Sequence, residues 1–341
     1  MLPTPSSTNS GRYQRVLLRA DGAQSIGMGH VVRTLALARE LLDVGTEVEV
    51  WGSQVERGRS FAPSFGAIPI KETTLPNGGR SEIPRIRRFN PDLVVADGYH
   101  FSPEFFRALD TYGIDYGVVD DNGETKATAP KLVVNPNPSF SQCEYLSRFP
   151  SAQLLLGLDY ALIRREIREA SSLQSIDEGS VFLSLGGTDV LGMTPQIIDC
   201  LQFSDIRLRL SEAVKESALK DQGPEKFGNV EFFAASDFPV AIGRSDICVL
   251  AAGSSIWESN LCGKRTLGLI TAENQSGPGH KALEMGIIQG IFDLRPGRLA
   301  GDWCAKLKTA VLALKGAKHP VQGVDGLGGV RVATWIRTRD I

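Results

Sequence analysis

Two turns in this sequence have the residue types and spacing that chemistry on an anionic ligand requires. The first, at residues 27–30, reads Gly-Met-Gly-His and opens an apolar pattern of helical spacing. Glycines let a backbone approach a ligand closely, and the free N–H groups of a helix N-terminus favour an anion. A near-neutral imidazole suits a general base, so His30 is a candidate catalytic base. A histidine that only caps the helix would give the same pattern.

The second turn, at residues 253–258, reads Gly-Ser-Ser-Ile-Trp-Glu and follows an apolar run. The small residues and hydroxyls of Gly253, Ser254 and Ser255, at a predicted helix N-terminus, suit a diphosphate. Glu258, one turn further, could accept hydrogen bonds from a ribose diol. The same residues also match a helix capping box, which is compatible with the ligand-binding interpretation.

Two weaker signals follow other predicted strands. A Gly-Gly-Thr-Asp turn at 186–189 could let a phosphate or sugar approach the backbone at Gly187, or it could simply be a tight turn with a capping aspartate. The adjacent acids Asp120 and Asp121 could hold a divalent metal, but they are more typical of a polar strand end, where one of them could orient a histidine. No metal-binding histidine motif accompanies them, so we predict neither a metal nor a cofactor. The nucleophile elbow that acyl-enzyme chemistry would need is also missing.

The elements that must position these residues alternate between strands and helices. Apolar runs predict strands at 16–18, 47–51, 93–96, 116–119, 132–134, 181–185, 206–210, 230–233, 247–250 and 266–270. Helical spacing predicts helices at 31–42, 103–109, 195–201, 255–262 and 303–314. Such alternation is typical of parallel α/β sheets, which bind ligands at the carboxyl ends of their strands. We therefore expect a disordered leader at 1–14, doubly wound domains at 15–165 and 175–325, and a C-terminal helix at 326–341.

Composition excludes several classes of protein. The chain has 341 residues, 42% of them hydrophobic, and a formal net charge of -2. These values exclude collagen and wholesale disorder, and they give no basic field that would attract nucleic acid. No apolar run of about 18 residues predicts a membrane span. The five cysteines are scattered and odd in number, without a C-x-x-C motif. This pattern favours a reducing, cytoplasmic location without a disulfide framework or a zinc site.

A series of different short motifs occurs in order between about residues 15 and 335. They are Arg-Ala-Asp at 19–21, Ile-Gly-Met-Gly-His-Val-Val-Arg at 26–33, Asp-Gly-Tyr at 97–99, Val-Asp-Asp at 119–121, Asn-Pro-Asn at 135–137, Tyr-Ala-Leu-Ile-Arg at 160–164, Gly-Gly-Thr-Asp at 186–189, Gly-Ser-Ser at 253–255, Glu-Asn-Gln at 273–275 and Asp-Gly-Leu-Gly at 325–328. Together they resemble the UDP-sugar hydrolases of the pseudaminic acid pathway. Those enzymes release UDP from UDP-2,4-diacetamido-2,4,6-trideoxy-β-L-altropyranose and are built like GT-B glycosyltransferases.

The resemblance implies a GT-B-like fold, with two Rossmann-like domains and a cleft between them. The catalytic residues that it implies are His30, Tyr99 and Asn274. The nucleotide side would comprise Gly29, Gly187, Gly253, Ser254, Ser255 and Glu258. Residues supporting the sugar would be Asp21, Arg33, Asp121 and Gln275. The implied partner is a nucleotide sugar, whereas the oligomeric state is left open.

The chemistry of such a substrate leaves two activities open. A nucleotide sugar already carries a good leaving group, so the protein must stabilise the diphosphate and deliver a nucleophile to the anomeric carbon. If His30 deprotonates water, the enzyme is an inverting hydrolase. If it deprotonates an acceptor hydroxyl, the same site is an inverting glycosyltransferase. A binding module without turnover is a third possibility, which the joint presence of His30, Tyr99 and Asn274 disfavours.

Overall fold

The protein is described here by a computed structural model. It describes residues 13–23, 27–73, 77–173, 176–187, 189–201, 206–215, 229–299 and 301–339. Nearly all of the expected leader lies outside these residues, as do Ile26 and Thr188 of two motifs. No helix in the described part of the chain has the length and apolar character needed to cross a membrane.

The first half of the chain folds around a parallel sheet of seven strands in the order β3-β2-β1-β4-β5-β6-β7. Its strands are β1 (Arg15–Ala20), β2 (Glu47–Gly52), β3 (Ile70–Glu72), β4 (Leu93–Asp97), β5 (Asp115–Val119), β6 (Leu132–Asn135) and β7 (Gln153–Leu156). Its helices are α1 (Gly29–Asp43), α2 (Val55–Gly58), α3 (Ile83–Phe89), α4 (Pro103–Thr111), α5 (Gln142–Arg148) and α6 (Arg165–Ser171). The central strands are buried along nearly their whole length, as expected when helices cover both faces of a sheet.

The second half folds around a parallel sheet of six strands in the order β10-β9-β8-β11-β12-β13. Its strands are β8 (Asp177–Ser184), β9 (Arg207–Ser211), β10 (Val230–Phe233), β11 (Ser245–Ala251), β12 (Arg265–Ile270) and β13 (Gly290–Asp293). Its helices are α7 (Thr194–Leu201), α8 (Phe238–Arg244), α9 (Ser255–Leu261), α10 (Ser276–Glu284) and α11 (Trp303–Leu314), and α12 (Gly328–Thr338) follows. The prediction of two doubly wound parallel sheets is therefore confirmed.

The sequence missed three strands, β3, β7 and β13, and all three lie at sheet edges. They contain only three or four residues each, and most of their side chains are partly exposed. Strands β3 and β13 lack the uninterrupted apolar run that marks a central parallel strand, whereas β7 contains three consecutive leucines at 154–156 that were not recognised as a strand. The missed strands do not alter the topology that the longer runs predicted.

Helix α12 returns from the end of the second half to pack on the first. Its buried residues Val332 and Trp335 belong to the same apolar core as Val31 and Leu35 of α1. Tyr13, assigned to the leader from sequence, is buried, and its ring centroid lies 6.4 Å from that of Trp335. The first half thus obtains part of its core from both ends of the described chain.

The expectation of no disulfide is wrong, because Cys200 and Cys304 are bonded to each other. Cys200 lies on α7 and Cys304 on α11, and both contribute to the same apolar cluster of the second half. The two Cα atoms are 5.3 Å apart although 104 residues separate them in sequence. Neither cysteine belongs to a local motif, so only the packing of the two helices reveals the pair. The remaining cysteines, Cys143, Cys248 and Cys262, are free.

Candidate active site

A cavity of about 830 Å³ lies between the two halves, at the carboxyl ends of their strands. Twelve of the thirteen site residues expected from sequence line it, namely Gly29, His30, Arg33, Tyr99, Asp121, Gly187, Gly253, Ser254, Ser255, Glu258, Asn274 and Gln275. Residues almost 250 positions apart in sequence thus meet at one site. The exception, Asp21, is not among the lining residues.

His30 occupies the first turn of α1 and is almost fully buried. Its Nδ1 atom lies 2.6 Å from Oδ1 of Asp97, the last residue of β4. An ionised carboxylate only accepts hydrogen bonds, so this shorter contact favours a proton on Nδ1 and a lone pair on Nε2 over the contact of the Arg33 guanidinium at 2.9 Å from the same Nδ1. The ring of Tyr99 meets the imidazole edge-on, with centroids 4.8 Å apart. An imidazole held in this way can accept a proton at Nε2.

Asp97 is the acid that orients the histidine, a role that the sequence had suggested for Asp120 or Asp121. Besides His30, it accepts hydrogen bonds from Nε of Arg33 at 2.6 Å and from the hydroxyl of Thr34 at 3.2 Å. Burial alone would raise the pKa of Asp97, but Arg33 and His30 outweigh it and hold that pKa well below its ordinary value. Asp97 is therefore a permanently charged anchor for the imidazole.

Tyr99 connects the first half to the second across the cavity. Its hydroxyl donates to Oδ1 of Asp121 at 2.7 Å and accepts from Nδ2 of Asn274 at 3.0 Å. Burial and, after it, the Asp121 carboxylate raise the pKa of Tyr99 far above its ordinary value, so the hydroxyl stays protonated. Asp121 also pairs with the guanidinium of Arg33. Tyr99 and Asn274, implied as catalytic, are thus in one hydrogen-bonded chain with two residues implied to support the sugar, Asp121 and Arg33.

The two adjacent aspartates have different surroundings. Asp120 does not line the cavity, and its carboxylate accepts from the hydroxyl of Tyr145 at 3.1 Å. Burial raises the pKa of Asp120. For Asp121 burial acts in the same direction, but Arg33 and His30 outweigh it and lower the pKa. The described residues contain no group of three or more His, Cys, Asp or Glu side chains that could hold a metal ion.

Three helices begin at the cavity wall. Helix α1 begins at Gly29, α9 at Ser255 and α10 at Ser276. The first N–H groups of a helix have no intrahelical acceptor, and the helix dipole places partial positive charge there. The predicted capping box at the start of α9 is not formed, because the Ser254 side chain makes no capping hydrogen bond. The lining therefore presents backbone donors from both halves to an anion.

The turn after β8 has the capping aspartate that one of the two interpretations of the sequence predicted. Asp189 caps α7 by accepting from the backbone N–H groups of Met193 and Thr194 at 3.1 and 2.9 Å. Gly187 faces the other half, where a Cβ atom on it would lie 3.1 Å from Cγ of Met28. A side chain at position 187 would therefore crowd the start of α1.

Glu258 is buried and forms an ion pair that the sequence did not reveal. Its Oε1 and Oε2 accept from Nε and Nη2 of Arg164 at 2.9 and 2.8 Å. The same guanidinium donates from Nη1 to the carbonyl of Phe61 at 3.0 Å and lies 4.5 Å from the ring centroid of Phe238. Arg164 thereby joins a loop of the first half to α9 of the second. Its motif was recognised in the sequence, but its partner lies 94 residues away.

The two other predicted supporting residues mainly hold loops in place. Asp21 accepts from the backbone N–H of Ser53 at 2.7 Å, and its carboxylate lies 3.0 Å from Nε2 of His100. Burial would raise the pKa of Asp21, yet His100, Arg19 and the Ser53 amide lower it. Gln275 accepts through Oε1 from the backbone N–H of Thr271 at 2.8 Å and fixes the loop after β12.

No family model matches the chain, but solved structures define the class of fold. A co-structure of MnaA from S. aureus with UDP superimposes with a TM-score of 0.64 at 13% identity, covering 95% of this chain and 96% of that one. MurG from Acinetobacter baumannii gives a TM-score of 0.59 at 14% identity, covering 95% and 99%. The two sheets and these neighbours establish a GT-B-like fold.

One curated relative makes the comparison more specific. The chain is 25% identical over 271 residues to UDP-2,4-diacetamido-2,4,6-trideoxy-beta-L-altropyranose hydrolase of Campylobacter jejuni, covering 76% of this chain and 93% of the relative. The resemblance inferred from the ordered motifs is therefore confirmed. Among the structural neighbours, the UDP-GlcNAc 2-epimerase of Methanocaldococcus jannaschii, in complex with UDP-GlcNAc and UDP, has a TM-score of 0.64 at 11% identity, covering 94% of this chain and 98% of that one.

Proposed function

We propose that this protein is a UDP-sugar hydrolase that cleaves the anomeric C–O bond with inversion and releases UDP and a free amino or deoxy sugar. The observation that carries the proposal is the imidazole of His30, fixed by Asp97 at 2.6 Å at the wall of a cavity between the two halves. The similarity to a UDP-sugar hydrolase supports both the nucleotide and the reaction.

His30 acts on the nucleophile in this mechanism. A water molecule approaches the anomeric carbon from the face opposite the diphosphate, and Nε2 of His30 takes one of its protons as the new C–O bond forms. The bond from the anomeric carbon to the diphosphate oxygen breaks, and its electron pair leaves with UDP. Asp97 stabilises the imidazolium that results, because its carboxylate already accepts the Nδ1 proton. A single displacement of this kind inverts the anomeric centre.

Backbone N–H groups and hydroxyls stabilise the charge of the leaving diphosphate in this mechanism. The arginines that line the cavity, Arg33 and Arg164, are each paired with carboxylates. The amides at the starts of α1, α9 and α10 and the hydroxyls of Ser254 and Ser255 are therefore the donors suited to the diphosphate. Such donors are already oriented, so they need no rearrangement as negative charge develops on the leaving oxygen.

The two halves divide the substrate between them. Residues 15–165 carry the base and would face the sugar, whereas residues 175–325 would hold the nucleotide against Gly253 and Glu258. Glu258 keeps lone pairs for the ribose hydroxyls even while Arg164 donates to both of its oxygens, because each carboxylate oxygen accepts more than one hydrogen bond. Binding between domains also lets the site exclude bulk water while retaining the nucleophile.

An inverting glycosyltransferase is the second candidate, since the His30–Asp97 pair can deprotonate a sugar hydroxyl as well as water. Purified protein incubated with a panel of UDP-sugars, with and without cell extract, distinguishes the two, with His30→Asn as the matched control. Release of UDP and free sugar without extract supports hydrolysis, and NMR of the first-formed anomer reports inversion. Release only with extract indicates transfer. A sugar that changes while UDP remains attached would exclude both.

A further inference from the structure

Arg33 lines the cavity, yet its guanidinium is already occupied by protein groups. Its Nε donates to Oδ2 of Asp97 at 2.6 Å, and its Nη1 pairs with the carboxylate of Asp121. Its Nη2 pairs with Oδ1 of Asp97 and lies 2.9 Å from Nδ1 of His30. The resemblance implies that Arg33 supports the sugar. A guanidinium engaged on all three nitrogens, however, is poorly placed to bind a sugar directly.

Two carboxylates and one guanidinium lie around His30. Asp97, at the end of β4, contacts the imidazole, and the carboxylate of Asp121, in the loop after β5, interacts with it electrostatically. Tyr99 also faces the ring, but its protonated hydroxyl carries no charge. Across the cavity, the second half contributes the neutral Asn274, which donates to that hydroxyl. Among the described residues, two carboxylates therefore face the imidazole, and the cation that accompanies them is Arg33.

The remaining charged groups of the cavity wall are paired elsewhere. They are Arg164 with Glu258, Glu273 with Arg295, and Glu124, which accepts from the side-chain amide of Asn122. Carboxylates close to an imidazole favour its charged form, whereas a guanidinium disfavours it. Without Arg33, the cluster would stabilise a histidine that is already protonated and cannot act as a base.

We propose that Arg33 is a positioning residue that keeps His30 unprotonated before each turnover, by neutralising one of the two carboxylates that face the imidazole. The cluster of Arg33, Asp97 and Asp121 then carries one net negative charge. This charge stabilises the imidazolium that forms when His30 takes the proton of the nucleophile, and it favours prior protonation less than two unneutralised carboxylates would. The inference rests on the proposed function for its catalytic meaning, but its electrostatic content is measurable without turnover.

The titration of the imidazoles by NMR tests the inference directly. The chain contains only four histidines, His30, His100, His280 and His319, so single His→Gln variants assign every signal. We expect Arg33→Met to move the titration midpoint of His30 upward by about 1–2 pH units, because an adjacent cation is lost. Arg33→Lys, which keeps the charge but loses the planar fork, should move it by much less. Arg39→Met removes a guanidinium that pairs with Asp43 further along α1, and it should leave the midpoint unchanged.

A charge-balanced double variant separates electrostatics from damage to the fold. Arg33→Met with Asp121→Asn removes one charge of each sign, so the midpoint of His30 should return toward the wild-type value. A merely structural role for Arg33 predicts no such rescue. An unchanged midpoint in Arg33→Met, or a double variant that stays shifted, would overturn the inference.

The pH dependence of kcat/KM distinguishes this inference from the proposed function. If His30 is the base, the acid limb of the profile should move upward in Arg33→Met together with the NMR midpoint. A shifted NMR midpoint with an unmoved acid limb would overturn the role of His30 as base and leave the electrostatic role of Arg33 intact.

Discussion

The two walls of the cavity use different chemistry. The first half presents a connected cluster of ionisable side chains, in which His30, Arg33, Asp97 and Asp121 contact one another. The second half presents mainly glycines, serines and the starts of two helices, and its buried carboxylate Glu258 is paired with an arginine. Side chains whose charge can change are thus concentrated on one wall, whereas the fixed donors lie mainly on the other, with the start of α1 adding donors from the first half.

This difference indicates how a diphosphate and a proton can be handled in one cavity. Fixed backbone dipoles suit the diphosphate, because its charge is present before and after bond cleavage. A proton transfer instead needs a side chain whose charge changes and neighbours that tolerate both states. Substitutions in the first wall should therefore affect turnover, and substitutions in the second should affect nucleotide binding.

The largest effect is expected from His30. We expect His30→Asn to lower kcat by about 10²–10⁴-fold, because the general base is lost, while UDP affinity stays near that of the wild type. Steady-state kinetics and calorimetry with UDP measure the two quantities on the same protein. His280→Gln, a change at an exposed histidine of α10, is the matched control. Wild-type turnover in His30→Asn would remove this residue from the mechanism.

The sequence predicted the members of the site better than their partners. His30, Gly253 and Ser255 were recognisable because helix starts after strands have a local signature, and the ordered motifs added Tyr99 and Asn274. The contacts that tune the site join distant elements. The acid that holds His30 is 67 residues away, at the end of a different strand. Sequence spacing carries no signal for such a pair, which arises from the order of strands in the sheet.

The fold shows the same division between local and long-range information. Central strands such as β1 and β11 were predicted because burial on both faces requires a continuous apolar run. The disulfide between Cys200 and Cys304 was not expected, since the cysteines are scattered in sequence, odd in number and without a C-x-x-C motif. Periodicity reports which face of an element is buried, but not which element covers it.

Acid should destabilise the first wall in a way that depends on Asp97. The pKa of Asp97 is held well below its ordinary value by Arg33 and His30, against the effect of burial. A lowered pKa contributes stability above the unfolded value of about 3.9, and that contribution is lost as pH falls toward the folded value. We expect the difference in unfolding free energy between wild type and Asp97→Asn to be about 1 kcal/mol smaller at pH 3 than at pH 7, because pH 3 lies about one unit below the unfolded pKa.

Urea titrations of both proteins between pH 3 and 7 measure this difference. Asp302→Asn, which removes an exposed carboxylate, is the control and should follow the wild type throughout. A constant difference between wild type and Asp97→Asn across this range would contradict the assignment of Asp97 as the charged anchor.

An effect on binding alone is expected on the second wall. Glu258→Ala should weaken UDP binding by about 1–3 kcal/mol through lost hydrogen bonds to the ribose. Glu258→Ala also leaves Arg164 without its carboxylate. Glu258→Gln, which keeps a side-chain oxygen near Arg164, is therefore the second variant, and it should also weaken UDP binding. Tyr99→Phe, on the first wall, should retain UDP affinity and impair only turnover of the sugar substrate. Calorimetry that finds the opposite pattern would reverse the assignment of the two halves.

The smallest effect is expected from removing divalent cations, which should leave UDP release unchanged. The carboxylates nearest the reacting groups are already paired, Asp121 with Arg33 and Glu258 with Arg164, so a cation would have to displace a guanidinium. In the proposed site the diphosphate would instead be bound by helix starts and hydroxyls, which do not require a metal. UDP release measured with excess EDTA, and then with added Mg²⁺ or Mn²⁺, tests this. Activity that is lost in EDTA and restored by adding Mg²⁺ or Mn²⁺ would assign Asp121 to a metal site. The departure of the leaving group would then depend on side chains of the first half, and the contrast between a proton-transferring wall and a dipolar wall would not hold.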